Sequence, residues 1–480
     1  MTELPRDPHA DALRRALEAV STPDRISTPL GEFDLFDGVP TPESTGRLYD
    51  ALDLLRGIDV FLDCVPGASL AAMRRGFRSV GLTRPNQIGI TEPRANSGSV
   101  FLTPNTETTY GTAFVDLRET GPLVIEPPIQ SLCVVDDFWF RYVADPGIAG
   151  PDKGEGGRYL FLPPGYDGAV PDGYFVYRPQ TFTIWAVFRA LGGVEAMKQT
   201  RVYPLAQADD PPVMEFPNLA DLHFNTVHAN DFSFFEEVDE IVQEEPPGSL
   251  DPERAGRLRA IGIVHGQPFA PDDHRRGILD TAARTGAAIS RALVYAPREP
   301  DAPIAPGSSW LQAFLGGSYE FLADGARLLD ARTQFHYFAT VITPAMAHAQ
   351  VGAGSAYTYV VHDADGEILD GAKTYRLVLP PEPPAKNFWS VDLYDTQTRS
   401  LLQTDNPWPS LSSLGGSVAT EPDGSTVLWF APEPPTGRES NWIRTVPGKS
   451  WFPMLRLYGP LQPWFDRAWL PGDLERVEPS

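Results

Sequence analysis

Apolar positions in the first part of the chain recur at helical spacing: Leu13, Leu17 and Val20, then Leu48, Leu52 and Leu55, then Leu70, Met73, Phe77 and Val80. Thr41-Pro42-Glu43 has the chemistry of a helix start: a hydroxyl cap, a proline first, then a carboxylate near the positive end. Gly81 is a suitable stop after the third stripe. Residues 1–85 are therefore predicted to be a helical N-terminal segment. From about residue 98 the period shortens. SVFLTP, TTYGTAFVDL, LVIEPP, SLCVVDDF, RYLFLPPG and YFVYRP are short, rich in β-branched and aromatic residues, and separated by Pro and Gly. They predict closely spaced strands and a first β-rich domain over 86–215. Helical spacing returns over 216–330, a connecting segment in which Asp231 precedes Phe234, Val238 and Ile241. Asp251-Pro252-Glu253 repeats the cap pattern, and His274 to Ala296 carries Ile278, Ala282, Ile289 and Leu293. Strands resume over 331–480. AYTYVVHDADGEILDGAKTYRLVLP reads as a hairpin turning at Asp363-Ala364-Asp365-Gly366, and FWSVDLYD, STVLWFAP and WFPMLRLYG follow. The predicted class is α+β and β-rich: two antiparallel β-sandwich or barrel-like domains with N-terminal and intervening helical segments.

At 480 residues the chain is too long for one ordinary core. Its 49 Pro and 42 Gly suit many turns and oppose long coiled coils. The net charge of −24 argues against a nucleic-acid partner, because dense phosphate would be repelled. Cys64 and Cys133 fall in a helix-like and a strand-like stretch, make no CxxC pair, and read as buried thiols. No run is long and apolar enough for a membrane helix. The opening residues lack a basic flank, an apolar run and a cleavage site, so the expected location is cytoplasmic.

Familiar catalytic signatures are missing: no GxSxG elbow, no HExxH helix, no Walker loop, and Gly352-Ala353-Gly354 lacks a third glycine at dinucleotide spacing. No cofactor is predicted. His223 and His228 are five apart, which suits no helix face, and Asp363, Asp365 and Glu367 are only part of a calcium loop. No metal site is predicted, and His336 reads as a core histidine.

The chemistry candidates lie in three runs. In Asn105-Thr106-Glu107-Thr108-Thr109-Tyr110, Glu107 is a candidate acid or base, with Asn105 and Tyr110 orienting a ligand; alternatively the run satisfies backbone at a strand entrance. Lys373 and Tyr375 alternate onto one strand face. If that face is inward, Lys373 is a candidate proton carrier and Tyr375 a donor; if outward, both are solvated. Trp389 is a candidate ligand-binding aromatic; after it, Arg399 is a candidate anion clamp or a pin for its own turn, and Arg456 carries the same ambiguity. The aromatic density suits a core and also leaves room for an apolar cavity.

The runs PNTETTYGTAFVDL, VDDFWFRYVADPGIAGPDKGEGGRYLFLPPGY and GYFVYRPQTFTIW resemble the bacterial domain of unknown function 1254. LDGAKTYRLVLPPEPPAKNFWSVDLYDTQTRSLLQTDNPWPSL and NWIRTVPGKSWFPMLRLYGPLQPWFD resemble its usual partner, domain of unknown function 1214. The resemblance covers residues 45 to 475. It implies a tandem of β-sandwich-type domains with helical elaborations, in relatives that often carry export signals. It carries over no catalytic residue. Two functional classes stay open. One is a protein that binds or processes a small, largely apolar ligand, with Glu107 or Lys373 moving a proton beside Arg399. The other is a non-catalytic structural or envelope-associated interaction protein. An apolar pocket touching Glu107, Lys373 or Arg399 separates the two.

Overall fold

The computed structural model describes residues 8–478, so the first seven residues of the N-terminal stretch read for an export signal lie outside the described residues. Helix α1 (Pro8–Val20) forms, but its stripe meets no core: Leu13, Leu17 and Val20 are 62%, 56% and 80% exposed. The N-terminal segment is not wholly helical. Arg25–Thr28, Gly31–Phe36 and Val39–Pro40 form an antiparallel meander, turned at Gly31 with φ +134°.

The two later stripes belong to one helix, α2 (Pro42–Ser79). Its start is as predicted, with Thr41 Oγ1 accepting the Ser44 N–H at 3.2 Å, and Gly81 follows its end with φ +95°. Pro66 lies inside. A proline there removes the donor that the carbonyl of Leu62 would receive. Thr333 fills the gap, its Oγ1 donating to that carbonyl at 3.0 Å. Leu52 and Leu55 are exposed, whereas Val60 through Phe77 is mostly buried. Four helices surround this half: α3 (Ser233–Glu244), α4 (Pro252–Ala260), α5 (Asp273–Tyr295) and α6 (Leu329–Phe338). Asp63 of α2 is buried between Arg254 of α4, whose Nε donates at 2.7 Å, and Arg332 of α6. Burial alone would raise the Asp63 pKa; the two guanidiniums outweigh it and hold the carboxylate below its ordinary range. One cationic pair thus clamps three helices.

The first five-stranded sheet contains β1 (Gly89–Ile90), β2 (Gly111–Asp116), β3 (Ser131–Asp137), β4 (Tyr142–Ala144) and β5 (Thr183–Ala190), in the order β1-β2-β5-β3-β4. One face, with Val115, Val135, Ile184 and Phe188, shares a core with a four-stranded sheet contributing Ile125, Tyr159, Phe161 and Val202. The second five-stranded sheet contains β6 (Leu311–Gln312), β7 (Ser355–Tyr359), β8 (Ala385–Asp395), β9 (Ser410–Ser412) and β10 (Trp451–Pro460), in the order β6-β7-β10-β8-β9. Its Val391, Leu393, Leu455 and Leu457 share a core with Tyr375, Leu377, Leu428 and Phe430 of another four-stranded sheet. The class is α+β, as predicted, and no described sheet closes into a barrel. Among the described residues, pairing between strands is antiparallel except where Phe175–Tyr177 meets Tyr159–Phe161 and Trp442–Arg444 meets Thr426–Ala431; three isolated bridges, Gln87 with Glu215, Ile90 with Asn218 and Val100 with Asn225, are also parallel.

Two strand expectations are corrected. SVFLTP joins no sheet; Val100 makes only an isolated bridge to Asn225. The turn at Asp363 is real, with Oδ1 accepting the N–H groups of Asp365 and Glu367 at 3.1 and 2.9 Å. It does not make a hairpin of β7 and the Thr374–Leu379 strand, which lie in different sheets.

Strand alternation gives each five-stranded sheet a second face. On the first it presents Trp185, Val187 and Arg189; on the second it presents Asp392, Tyr394, Met454 and Arg456. These faces confront each other, and a single apolar cluster joins Trp185 and Val187 with Tyr359, Tyr394 and Met454 through α2, α3, α5 and α6. Burial of each such side chain is worth about 1.5–3 kcal/mol before entropy. Residues 1–300 and 301–480 expressed apart are expected to be poorly soluble or partly unfolded. Circular dichroism and thermal melting of each half beside the whole chain check this; two soluble halves melting cooperatively near the intact protein would refute the single cooperative unit.

Candidate functional site

The end of SVFLTP and the residues after it cross from one confronting face to the other. Thr103 is in the left-handed region, φ +36°, and its N–H donates to the Arg399 carbonyl at 2.9 Å. Its own carbonyl accepts from Arg456 Nη2 at 2.9 Å, and the Pro104 carbonyl accepts from the Tyr394 hydroxyl at 2.6 Å. The Thr106 N–H donates to Asp392 Oδ1 at 3.3 Å, and Thr106 Oγ1 lies 2.6 Å from Ser410 Oγ. Arg456 Nη1 donates to Asp392 Oδ2 at 2.7 Å with both side chains buried. Asn105 organises the turn itself: its Oδ1 accepts the N–H groups of Glu107 and Thr108, both at 3.1 Å, and its amide donates to the Tyr110 hydroxyl.

Beside this seam the two faces do not fill the space between them. They leave a cavity of about 250 Å³. Its first wall is Leu132, Val134, Trp185, Val187 and Arg189 of the first sheet. The facing wall is Tyr357, Met454 and Arg456, and α6 adds Phe335 and Phe338. Phe77 of α2, Phe101 and Phe224 close one side; Asn105 and Tyr110 line the cavity from the seam.

The candidates from sequence separate into groups. Asn105, Tyr110 and Arg456 meet at the cavity; Glu107, Lys373, Tyr375, Trp389 and Arg399 do not line it. Glu107 sits one layer away, bonded by Thr106 Oγ1 and Ser412 Oγ at 3.2 Å each. Burial, then the charge of Asp392, raises its pKa. Lys373 precedes its strand, is part-exposed, and its Nζ lies 4.0 Å from Asp370, so it does not share the buried environment of Tyr375. Tyr375 is buried in the outer core, its hydroxyl accepting the Asp370 N–H at 3.1 Å. Trp389 belongs to the same core. Arg399, φ +57°, is buried and pins backbone: Nε donates to the Tyr337 carbonyl at 3.1 Å and Nη1 to the Gln397 carbonyl at 2.6 Å. His228 and His336 are buried among aromatic rings, and burial pushes both down to about 3. Both cysteines are buried thiols, pushed up to about 12 by burial.

With this geometry in place, the chain can be compared with known proteins. Residues 85–208 match the family described as "Protein of unknown function (DUF1254)", and residues 354–462 match "Protein of unknown function (DUF1214)". The chain carries the DUF1254 and DUF1214 domains in tandem. The VPA0106 protein from Vibrio parahaemolyticus has a similar fold, with a TM-score of 0.51 at 16% identity over 88% of this chain and 100% of that one. An uncharacterised protein from Burkholderia cenocepacia aligns over 91% of this chain and 97% of its own at 12% identity, with a TM-score of 0.38. No curated protein matches.

The DUF1254 stretch supplies Asn105, Tyr110, Trp185 and Arg189 to the cavity; the DUF1214 stretch supplies Tyr357, Met454 and Arg456. The unmatched stretch between them supplies Phe224, α6 and the wall segment Ala339–Met346. That wall is tied to the DUF1254 part by Thr343, whose Oγ1 lies 2.7 and 2.6 Å from the two oxygens of Asp145. Asp145 lines the cavity, and burial raises its pKa to about 6 against the hydrogen bonds of Thr343 and Tyr142. Neither Asp145 nor Arg189 stands out in the sequence; Asp145 sits in an ADPG turn, and Arg189 is a polar interruption of the apolar TIWAVFRA strand, the one signal that was available.

A carboxyl whose folded pKa exceeds its unfolded value binds its proton more readily in the native state, so it stabilises progressively as pH falls through the folded pKa. With a folded value of about 6 for Asp145 and an unfolded value of about 3.9, the native protein gains about 1 kcal/mol between roughly pH 7 and 5 from this group. Asp145→Asn is expected to lack that increment. Urea unfolding of both proteins at the two pH values checks it; equal pH dependence would show that Asp145 does not titrate in this range.

Proposed function

We propose that the chain binds a small, largely apolar molecule in the cavity between its two β-rich units, 86–215 and 331–480, each built as a sandwich-like pair of sheets. The observation that carries this reading is the cavity itself. Protein interiors are close-packed, so about 250 Å³ of space between ordered aromatic walls is far larger than a packing defect. Its composition is that of a ligand site: a mainly apolar lining with a few convergent polar groups, here Asn105, Tyr110, Arg189, Arg456 and Asp145. Its position also fits, because ligand sites favour the junction of two units. Glu107, Lys373 and Arg399 do not touch it, so the criterion set from the sequence is not met through those three, and the reading rests on the cavity and the polar groups that do line it.

A neutral hydrophobic dye, N-phenyl-1-naphthylamine, is expected to bind saturably at one site and to quench or sensitise Trp185, which lines the cavity. Val187→Trp, which fills the cavity from the first sheet, is expected to weaken binding by about tenfold or more, the effect of losing ~1.4 kcal/mol. Fluorescence titration with thermal melting as the folding control measures both. Absence of saturable binding to the folded protein, or unchanged binding to a folded Val187→Trp, sinks the reading.

A further inference from the structure

The polar groups around the cavity are unequally satisfied. Arg456 is committed to Asp392 and to the Thr103 carbonyl. Asp145 is engaged by Thr343. Arg189 is different: it lines the cavity from β5, its Nε is buried, and among the described residues its guanidinium has neither a hydrogen-bond partner nor an ion pair. Its guanidinium lies 5.5 Å from the ring of Tyr458, which packs on Phe388 with centroids 4.0 Å apart. The Tyr458 hydroxyl is likewise buried without a partner among the described residues. Arg189 Nε is therefore an unanswered donor on a residue that lines a mainly apolar space, whereas Tyr458 is not part of the lining.

We infer that the molecule held in this cavity is a monocarboxylate with a hydrocarbon body, its carboxylate meeting Arg189. This rests on the proposed binding function and names the ligand class for it. Arginine offers only donors, so its complement is an acceptor group. Arg456 is already balanced by Asp392, and Asp145, bonded by Thr343, makes no ion pair with Arg189 among the described residues, so the Arg189 guanidinium is left for an acceptor from inside the cavity, and a carboxylate supplies one. A planar carboxylate fits the guanidinium fork, and the charge-assisted bond is strong where water is largely excluded. The walls of Trp185, Val187, Phe335 and Phe338 then take the hydrocarbon. Leaving a partly buried guanidinium unpaired is costly, which is the physical pressure for such a ligand.

The test is displacement of N-phenyl-1-naphthylamine by decanoate and by decan-1-ol near neutral pH, using the full chain. The wild-type protein is expected to bind decanoate about tenfold more tightly than the alcohol, the scale of one charge-assisted contact. Arg189→Gln is expected to lose that advantage, so that acid and alcohol bind it about equally, and Arg189→Lys to retain part of it. Equal affinity for acid and alcohol in the wild type overturns the inference and leaves the apolar-binding function standing. So does an Arg189→Gln effect equal on both, which marks a structural role, or a dye that neither compound displaces. If the dye itself fails to bind the folded protein, both readings fall together.

Discussion

Asp392 and Arg456 face each other at 2.7 Å, both buried between two sheets. An ion pair so placed is tolerable only if its remaining lone pairs and protons also find partners, because the desolvation cost is several kcal/mol per ion. The fold meets that condition with the strand-free run from Thr103 to Thr106. Backbone that in a strand would bond to a neighbouring strand is here turned toward the second sheet, where it supplies a carbonyl to Arg456 and an N–H to Asp392. The run from Thr103 to Thr106 thus serves the pair in place of a neighbouring strand. The same bonds set how near the two sheets approach along that edge, and the cavity lies beside it.

The helical layer answers a second demand. Each five-stranded sheet buries one face in its own core and still has a second face that must be covered, with apolar residues such as Val187 and Met454 beside the Asp392–Arg456 pair. α2 and α6 fill part of the gap between those second faces, and α2 in turn is fixed by Asp63 reaching both Arg254 and Arg332. Gly67 allows α2 to lie close: a Cβ there would meet the Trp139 ring at 2.7 Å. Aromatic residues that fill a core and those that line the cavity thus belong to one continuous cluster, in which Phe335 and Phe338 do both.

What could be seen in the sequence follows the range of the forces. Thr41 capping α2, Asp251 capping α4 and the Asp363 turn are local hydrogen bonds, and their residues stand within a few positions of the groups they satisfy. The continuity of α2 was hidden, because Pro66 reads as an interruption and its compensation comes from Thr333, 271 positions from the carbonyl it serves. The faces of strands were legible by alternation where one core decided them. Alternation could not show that both faces of β8 and β10 are buried, or that Lys373 falls just outside its strand. The site divided in the same way. Asn105, Tyr110 and Arg456 carried visible polar chemistry in aromatic runs, whereas Arg189 and Asp145 acquire meaning only from what lies across the gap.

The Asn105–Tyr110 run also shows why structural and binding readings of such a motif need not compete. Asn105 spends its carbonyl oxygen on the turn and its amide on Tyr110, so its inward atoms are already satisfied. Thr106 and Glu107 face away from the cavity into the Asp392, Ser410 and Ser412 network. The run therefore holds the seam with one side and shapes the cavity with the other, and a polar group that is internally satisfied can shape a pocket without fixing what charge enters it. That leaves the choice of ligand to a group whose bonding is incomplete. Hydrogen-bond accounting, more than the polarity of a motif, distinguishes the residues that build a site from those that remain available to its contents.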